Sequence, residues 1–491
     1  MIPVGFTLLL FFVNAHIIME KFNPKIILSD KFKGSGGFQR ASKLIAFDRQ
    51  HRKTINFNVS RHDMAVSEAI ARYRDFEEAR TRAGAIKRDI LKNWDTYLIQ
   101  FEKNITKRGA KVLWAKNTDE ATAYVTQILL ENEARLLVKS KSMVTEEIEF
   151  NRTAEKAGCE PVETDLGEFI VQVAGERPYH IVTPVMHKSK EDIAELFHEK
   201  FGTPENETPE NLTVYVRGVL RKKFTSADVG VTGANFLIAD IGGVSITENE
   251  GNGIMTTSFP KVHIVLAGIE KIIPEMKHLG LFQPLLSTKG TGQQISGYNT
   301  IFTGPKRENE VDGPQQMYVI LLDNGRTTLY DDDDAYQALS CVRCGCCLNA
   351  CPVYKSIGGY TYGTTYSGPI GSAIMPFLRG FKEFSHLSFA SSLCGKCTET
   401  CTVKIPLTEI LLTNRKKAVE KYRRPLVEKG AMKGFRMIAS KRIGFDFFPS
   451  CMKNMALYLF KYFGWGPKRA TPEFAKKSFS QQFQSKIKNK K

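Results

Sequence analysis

The chain has 491 residues, 42% apolar and 25% charged, a globular composition that excludes a mainly disordered, collagen-like or multi-span membrane protein. At about 150 residues per domain, the length implies about three domains. The formal net charge is +17, and it is concentrated: residues 415–491 hold 21 Lys and Arg against four acids, whereas the rest of the chain holds 48 of each. The body is electrically balanced, so an anionic partner is expected to meet the C-terminal segment.

Residues 2–19 lean apolar and carry no acid, Lys or Arg, but they are barely long enough to span a bilayer. The first positive charge, Lys21, follows the run instead of preceding it as in a signal peptide. Translation from Met19, an N-terminal anchor, a signal and an ordinary buried segment all stay open. Residues 20–60 are polar and basic, and Gly34 to Gly37 reads as a flexible joint. From residue 64 to 103 apolar side chains recur at three and four, which predicts helices.

Strand-helix alternation follows. Strands are expected at residues 111–115, 135–139, 161–163, 180–184 and 262–267. Helices are expected at 119–133 with Thr118 as cap, from Ser142 toward Gly158, at 189–201 and at 212–224. Such units build a mostly parallel sheet with helices on both faces. The Gly-rich stretch 228–252 reads as strands with turns and bulges at a sheet edge. It has neither G-x-G-x-x-G nor G-x-x-x-x-G-K-S/T, so no phosphate loop is read there. Glu248, Asn249 and Glu250 are candidates to line a cleft at the strand ends, against a solvated turn as the alternative. Asp323 to Gly325 marks a turn, and the acidic run Asp331 to Asp334 a solvated turn before a helix.

Eight of the ten cysteines lie between Cys341 and Cys401, and such crowding points to metal instead of a disulfide framework. Cys341, Cys344, Cys347 and Cys351, followed by Pro352, reproduce the run C-x2-C-x2-C-x3-C-P of 4Fe-4S proteins, whose fourth cysteine ligates the other cluster of a pair. Structural zinc usually takes its ligands as two separated pairs, which this dense run is not. Beginning 43 positions after Cys351, Cys394, Cys397 and Cys401 form C-x2-C-x3-C, with Ser391 where a further cysteine would complete the pattern. Crossing the sets assigns Cys341, Cys344, Cys347 and Cys401 to cluster 1. Cluster 2 receives Cys351, Cys394 and Cys397, and its fourth ligand stays open among solvent or a three-iron form, Ser391 and Cys346. Cys346 is otherwise a spare thiol inside the first loop.

These motifs, with Lys139 to Glu147 (KSKSMVTEE), Glu163 to Gly167 (ETDLG), Glu310 to Pro314 (EVDGP), Val353 to Gly359 (VYKSIGG) and Tyr366 to Gly371 (YSGPIG), resemble the LutB family of lactate-utilisation iron-sulfur proteins over roughly residues 60–480. The resemblance implies an α/β LUD domain, akin in fold to sugar-phosphate isomerases and CoA transferases (NagB/RpiA/CoA-transferase-like). An α-helical dicluster ferredoxin-like domain and a basic helical C-terminal region are expected to follow. The expected divisions are an extension at 1–60, the LUD domain with leading helices at 61–330, the dicluster domain at 331–414 and the basic region at 415–491. The same seven cysteines match the family's cluster ligands. Cys346, where a small residue is usual, and Thr402, where proline follows the last cysteine, depart from its pattern.

By this likeness the chain is a cytoplasmic electron-transfer subunit of a three-part system oxidising L-lactate to pyruvate. Its partners would be LutA-like and LutC-like subunits and a downstream, peripheral membrane or quinone-linked acceptor at the inner face. No flavin or nicotinamide fingerprint accompanies it, and no nucleic-acid partner is expected. The competing readings are a LUD domain with its own catalytic site and a redox-sensing regulator. The aromatic and basic tail, starting with an amphipathic segment at 407–422, reads as a docking element for a partner or an anionic membrane face, with a solvated basic face as the alternative.

Overall fold

The computed structural model describes residues 34–421, 426–440, 447–461 and 470–488. The apolar stretch at 2–19 and the alternative start at Met19 lie outside the described residues. The chain divides after Ala418 into a large unit and a C-terminal unit.

In the large unit, helices come first: Gly34–Phe47, Arg49–Ile70, Phe76–Lys92 and Trp94–Thr106. The glycines expected to form a joint open the first of these helices, where Gly37, Ala41 and Ile45 are buried. Packing of this face outweighs the low helix propensity of glycine. Asp48 and Asp75 cap the next two, each accepting a backbone N–H three residues on.

The strands are β1 (Lys111–Ala115), β2 (Leu136–Lys139), β3 (Glu160–Glu163), β4 (Val229–Thr232), β5 (Phe236–Ile238), β6 (Gly243–Glu248), β7 (Val262–Gly268), β8 (Ile272–Ile273), β9 (Tyr298–Phe302) and β10 (Gln316–Leu322). Six of them form one sheet in the order β1-β10-β7-β4-β2-β3, with every pairing parallel. The pleat sorts β7 and β10 onto two cores. Val265, Ala267, Met317, Val319 and Leu321 join one, and Val262, Ile264, Leu266, Tyr318, Ile320 and Leu322 the other. Each such aliphatic side chain contributes roughly 1.5–3 kcal/mol by burial, and coverage on both faces is what a parallel sheet requires.

Four expectations are corrected. Residues 180–184 form no strand, because Nδ1 of His180 accepts the backbone N–H groups of Val182 and Thr183, both at 3.1 Å, and bends the chain. The Gly-rich stretch is not a sheet edge: β4 lies inside the six-stranded sheet, and β5 and β6 belong to a second sheet, β8-β5-β6-β9. Asn117, not Thr118, caps the helix Thr118–Glu131, accepting Glu120 N–H at 2.9 Å. Finally, β10 was not among the expected strands, although it lies between β1 and β7.

The second unit contains the helices Leu426–Ala439, Ser450–Phe460 and Phe479–Lys488. Asn454 joins two of its segments by accepting Phe474 N–H at 2.8 Å. Leu426, Phe435, Met437 and Phe479 are exposed on it.

Candidate metal centre

The two cysteine loops are built alike. In each, a glycine in the left-handed region, Gly345 at φ 76° and Gly395 at φ 84°, precedes a five-residue helix, Cys346–Ala350 or Lys396–Thr400. Each helix ends on an extended cysteine, Cys351 or Cys401. A side chain at position 345 would be strained by its φ and would also come within 3.1 Å of the His180 ring. Pro352 then occupies the first turn of the helix Pro352–Ile357, where its missing N–H costs nothing.

The two short helices pack against each other. Cys341, Cys344, Cys347 and Cys401, together with Cys346, line one small cavity of about 20 Å³. Ile181, Val342, Ile370, Val403, Ile405 and Leu407 supply its apolar wall. Among the described residues, no three His, Cys, Asp or Glu side chains converge as a single metal ion would require; these cysteines face a shared space. Backbone N–H groups already point at sulfur, from Arg343 to Cys341 at 3.4 Å and from Ile405 to Cys401 at 3.3 Å. Soft donors, an apolar shell and N–H groups aimed at sulfur fit an iron-sulfur cluster.

Cys351, Cys394 and Cys397 are the residues expected for cluster 2. Cys394 is exposed, whereas Cys351 and Cys397 are buried. Ser391 accepts the Leu393 N–H at 3.1 Å, which occupies its hydroxyl within its own loop. Cys346 belongs to the first group, its sulfur 3.3 Å from that of Cys344.

Thr402 is buried with its hydroxyl 3.0 Å from Cys344 Sγ and 3.8 Å from Cys346 Sγ. Burial pushes the Cys401 thiol up to about 12 and raises Cys347. Protons must therefore leave these thiols as metal binds.

Cations gather around the two cysteine loops, three of them from distant segments. Arg80 donates to Cys401 O at 2.6 Å and 3.0 Å, and Lys289 to Thr400 Oγ1 at 3.1 Å. Lys87 donates to Glu270 O at 2.9 Å, and the Arg343 guanidinium lies 4.3 Å from the Tyr366 ring centroid. Their charge opposes that of thiolates and clusters. Of these, only Arg343 had a sequence signal, its place between two ligand-spaced cysteines; Arg80, Lys87 and Lys289 sit on ordinary helical patterns and are gathered by the tertiary fold.

Glu248, Asn249 and Glu250 line a separate cavity at the strand ends. Glu248 also accepts the N–H groups of Gly253 and Ile254, and Glu250 that of Leu166, so both hold loops as well.

A parallel α/β domain followed by duplicated cysteine loops defines a LUD-type iron-sulfur protein. The family model described as LUD domain matches residues 98–322 and that described as 4Fe-4S dicluster domain matches 337–405. Lactate utilization protein B of Bacillus subtilis (strain 168) is 44% identical over 391 residues, covering 78% of this chain and 81% of its own. The protein of the same description from Bacillus pumilus (strain SAFR-032) is 45% identical over 389 residues, covering 78% and 82%. The chain belongs to the lactate utilization protein B family. A crystal structure of a DUF162 family protein from Deinococcus radiodurans overlaps 47% of this chain and 98% of its own, at 14% identity and a TM-score of 0.26.

Proposed function

We propose that the chain is the electron-transfer subunit of a complex that oxidises L-lactate to pyruvate. The observation that carries this reading is the cavity that Cys341, Cys344 and Cys347 of one loop share with Cys401 of the other, which supports two neighbouring redox centres with crossed ligands. Cys341, Cys344, Cys347 and Cys401 would hold cluster 1, and Cys351, Cys394 and Cys397 cluster 2. When bound, each cluster supplies one-electron chemistry, and the pair matches the two electrons lactate loses with two protons on becoming pyruvate.

The chain's own residues then have defined tasks. Ile181, Val342 and Val403 keep water from the first site, Arg80 and Arg343 offset its negative charge, and Thr402 donates to a ligand sulfur. Exposed Cys394 puts an edge of the second site at the surface, where a partner can exchange electrons. Lactate itself would react on a partner, with LutA-like and LutC-like subunits as the expected companions and a quinone-linked acceptor downstream.

We place the work in the cytoplasm, as cluster thiolates need a reducing compartment. Among the described residues, no helix is long and apolar enough to cross a membrane. The divisions near residues 330 and 414 are proposed as those between LUD domain, dicluster domain and basic region. The test is anaerobic co-purification with partners, followed by paramagnetic resonance on adding lactate. Lactate-dependent reduction of both clusters is expected. Sustained lactate turnover by this chain alone would overturn the subunit reading.

A further inference from the structure

The cavity at the strand ends, about 530 Å³, is of small-molecule size. Ser140 follows β2, Asp165 follows β3, Asn235 follows β4 and Lys271 follows β7, and all four line it. These strands are neighbours in the sheet. After β2 the chain steps outward to β3, then returns to β4 on the other side of β2 and continues to β7 and β10. The cavity thus sits where the strand order reverses, outside the carboxyl ends of the strands, the place where open α/β sheets bind ligands.

The electrostatics of its deep end are unbalanced. Lys271 is only 7% exposed and makes no hydrogen bond or ion pair among the described residues. Beside it, Arg343 has a buried Nη1 without a partner, while its Nη2 reaches Glu270 at 3.4 Å. Glu270 is already committed to Arg326, at 2.5 Å. Two cations therefore meet at one end of a roomy cavity with N–H groups to spare, an arrangement that recognises an oxyanion.

The rest of the lining is acidic on balance. Asp165, Glu248 and Glu250 line it with one cation, Lys141, which pairs with Asp165 at 3.4 Å; the surplus of carboxylates disfavours a phosphate or polyanion and offers acceptors to hydroxyl or amino groups. Arg343 and Ile181 also line the cysteine cavity, so one layer of side chains separates the two spaces.

We propose that this cavity binds a small monocarboxylate bearing hydroxyl or amino donors, its carboxylate between Lys271 and Arg343 and its donors toward the lining carboxylates, and that the bound charge disfavours reduction of cluster 1. The coupling rests on the proposed assignment of cluster 1; the binding does not. By linkage, an anion that lowers the cluster's potential binds the oxidised form more tightly.

The experiment is anaerobic calorimetry on the iron-loaded full chain without partners, with L-lactate and D-gluconate as carboxylates and lactamide and inorganic phosphate as controls. Saturable binding of at least one carboxylate, with none of lactamide or phosphate, is expected. Lys271→Gln should weaken it roughly tenfold to a hundredfold, the loss of a charge-assisted hydrogen bond, with iron content unchanged. Should that variant fail to fold, the wild-type comparison of lactate with lactamide still decides. Binding of neither carboxylate, equal binding of lactamide, or preference for phosphate overturns the site, leaving the two cations to serve the cluster alone. Redox titration with the bound probe should move the cluster 1 midpoint downward; binding without a shift overturns the coupling. Failure of lactate to reduce the clusters in the partner complex would count against the electron-transfer reading and leave these binding results intact.

Discussion

Thr402 Oγ1 stands 3.0 Å from Cys344 Sγ, so the hydroxyl that replaces an expected proline faces a proposed cluster ligand. A donor to ligand sulfur favours the reduced, more negative cluster. Thr402→Val removes the donor at nearly constant volume. The cluster 1 midpoint should fall by about 40 mV, the one-electron equivalent of about 1 kcal/mol, as measured by redox titration with paramagnetic resonance.

Cys346 and Ser391 answer a different question. Cys346 lies in the first cavity and Ser391 serves its own loop, so neither is expected as the missing ligand of cluster 2. Cys346→Ala and Ser391→Ala should each keep the parent's iron content and spectrum, whereas Cys347→Ala should lose iron. Iron loss in only one of the first two would identify that side chain as a ligand.

Arg326 is fully buried and pairs with Glu147 at 2.9 Å and Glu270 at 2.5 Å. The Tyr366 hydroxyl donates to the same Glu147 at 2.7 Å, tying the cysteine-rich segment to the helix that ends at Glu147. Arg326→Met would leave Glu147 buried without a cation and Glu270 with Arg343 alone, and should cost about 3–5 kcal/mol. Thermal unfolding should shift down, and iron content should drop with it.

Buried histidines set the acid response. Burial holds His263 down at about 3 and His51 at about 4. Below the ordinary histidine value of about 6.5, the unfolded chain takes up protons that the folded chain refuses, so stability falls as pH drops from there toward 4. Each such histidine contributes a slope of up to about 1.4 kcal/mol per pH unit. His263→Gln should flatten the dependence of the unfolding midpoint on pH across that window and leave it unchanged above pH 7.

The legible parts of the fold were those with a local cause. Residues 111–115 were expected as a strand and form β1 with the same bounds, and the helix expected at 189–201 forms as Lys190–Phe201, with Ser189 Oγ accepting the Asp192 N–H and the Asp192 carboxylate accepting the Ser189 N–H. The iron-sulfur character was legible because the run C-x2-C-x2-C-x3-C-P is a local spacing in the chain. β10 was missed although its apolar run is as continuous as that of β7, which was expected. His180 misled because its apolar neighbours suit a strand, whereas its ring nitrogen bends the chain. Lys271 and Arg343 lie 72 positions apart, and no local pattern announces that two cations will meet.

The helix Phe76–Lys92 carries Arg80, and the carbonyl it grips belongs to Cys401, 321 positions later. At about 5–20 residues per second of synthesis, that helix waits roughly 15–60 seconds for its partner to be made. For most of that interval the first cysteine loop has not been made either, and once Cys347 has emerged the first cavity still lacks Cys401 and the wall beside it. A nascent chain would offer iron an open, water-washed half-site, so insertion is expected only once the helix Phe76–Lys92 has closed on Cys401.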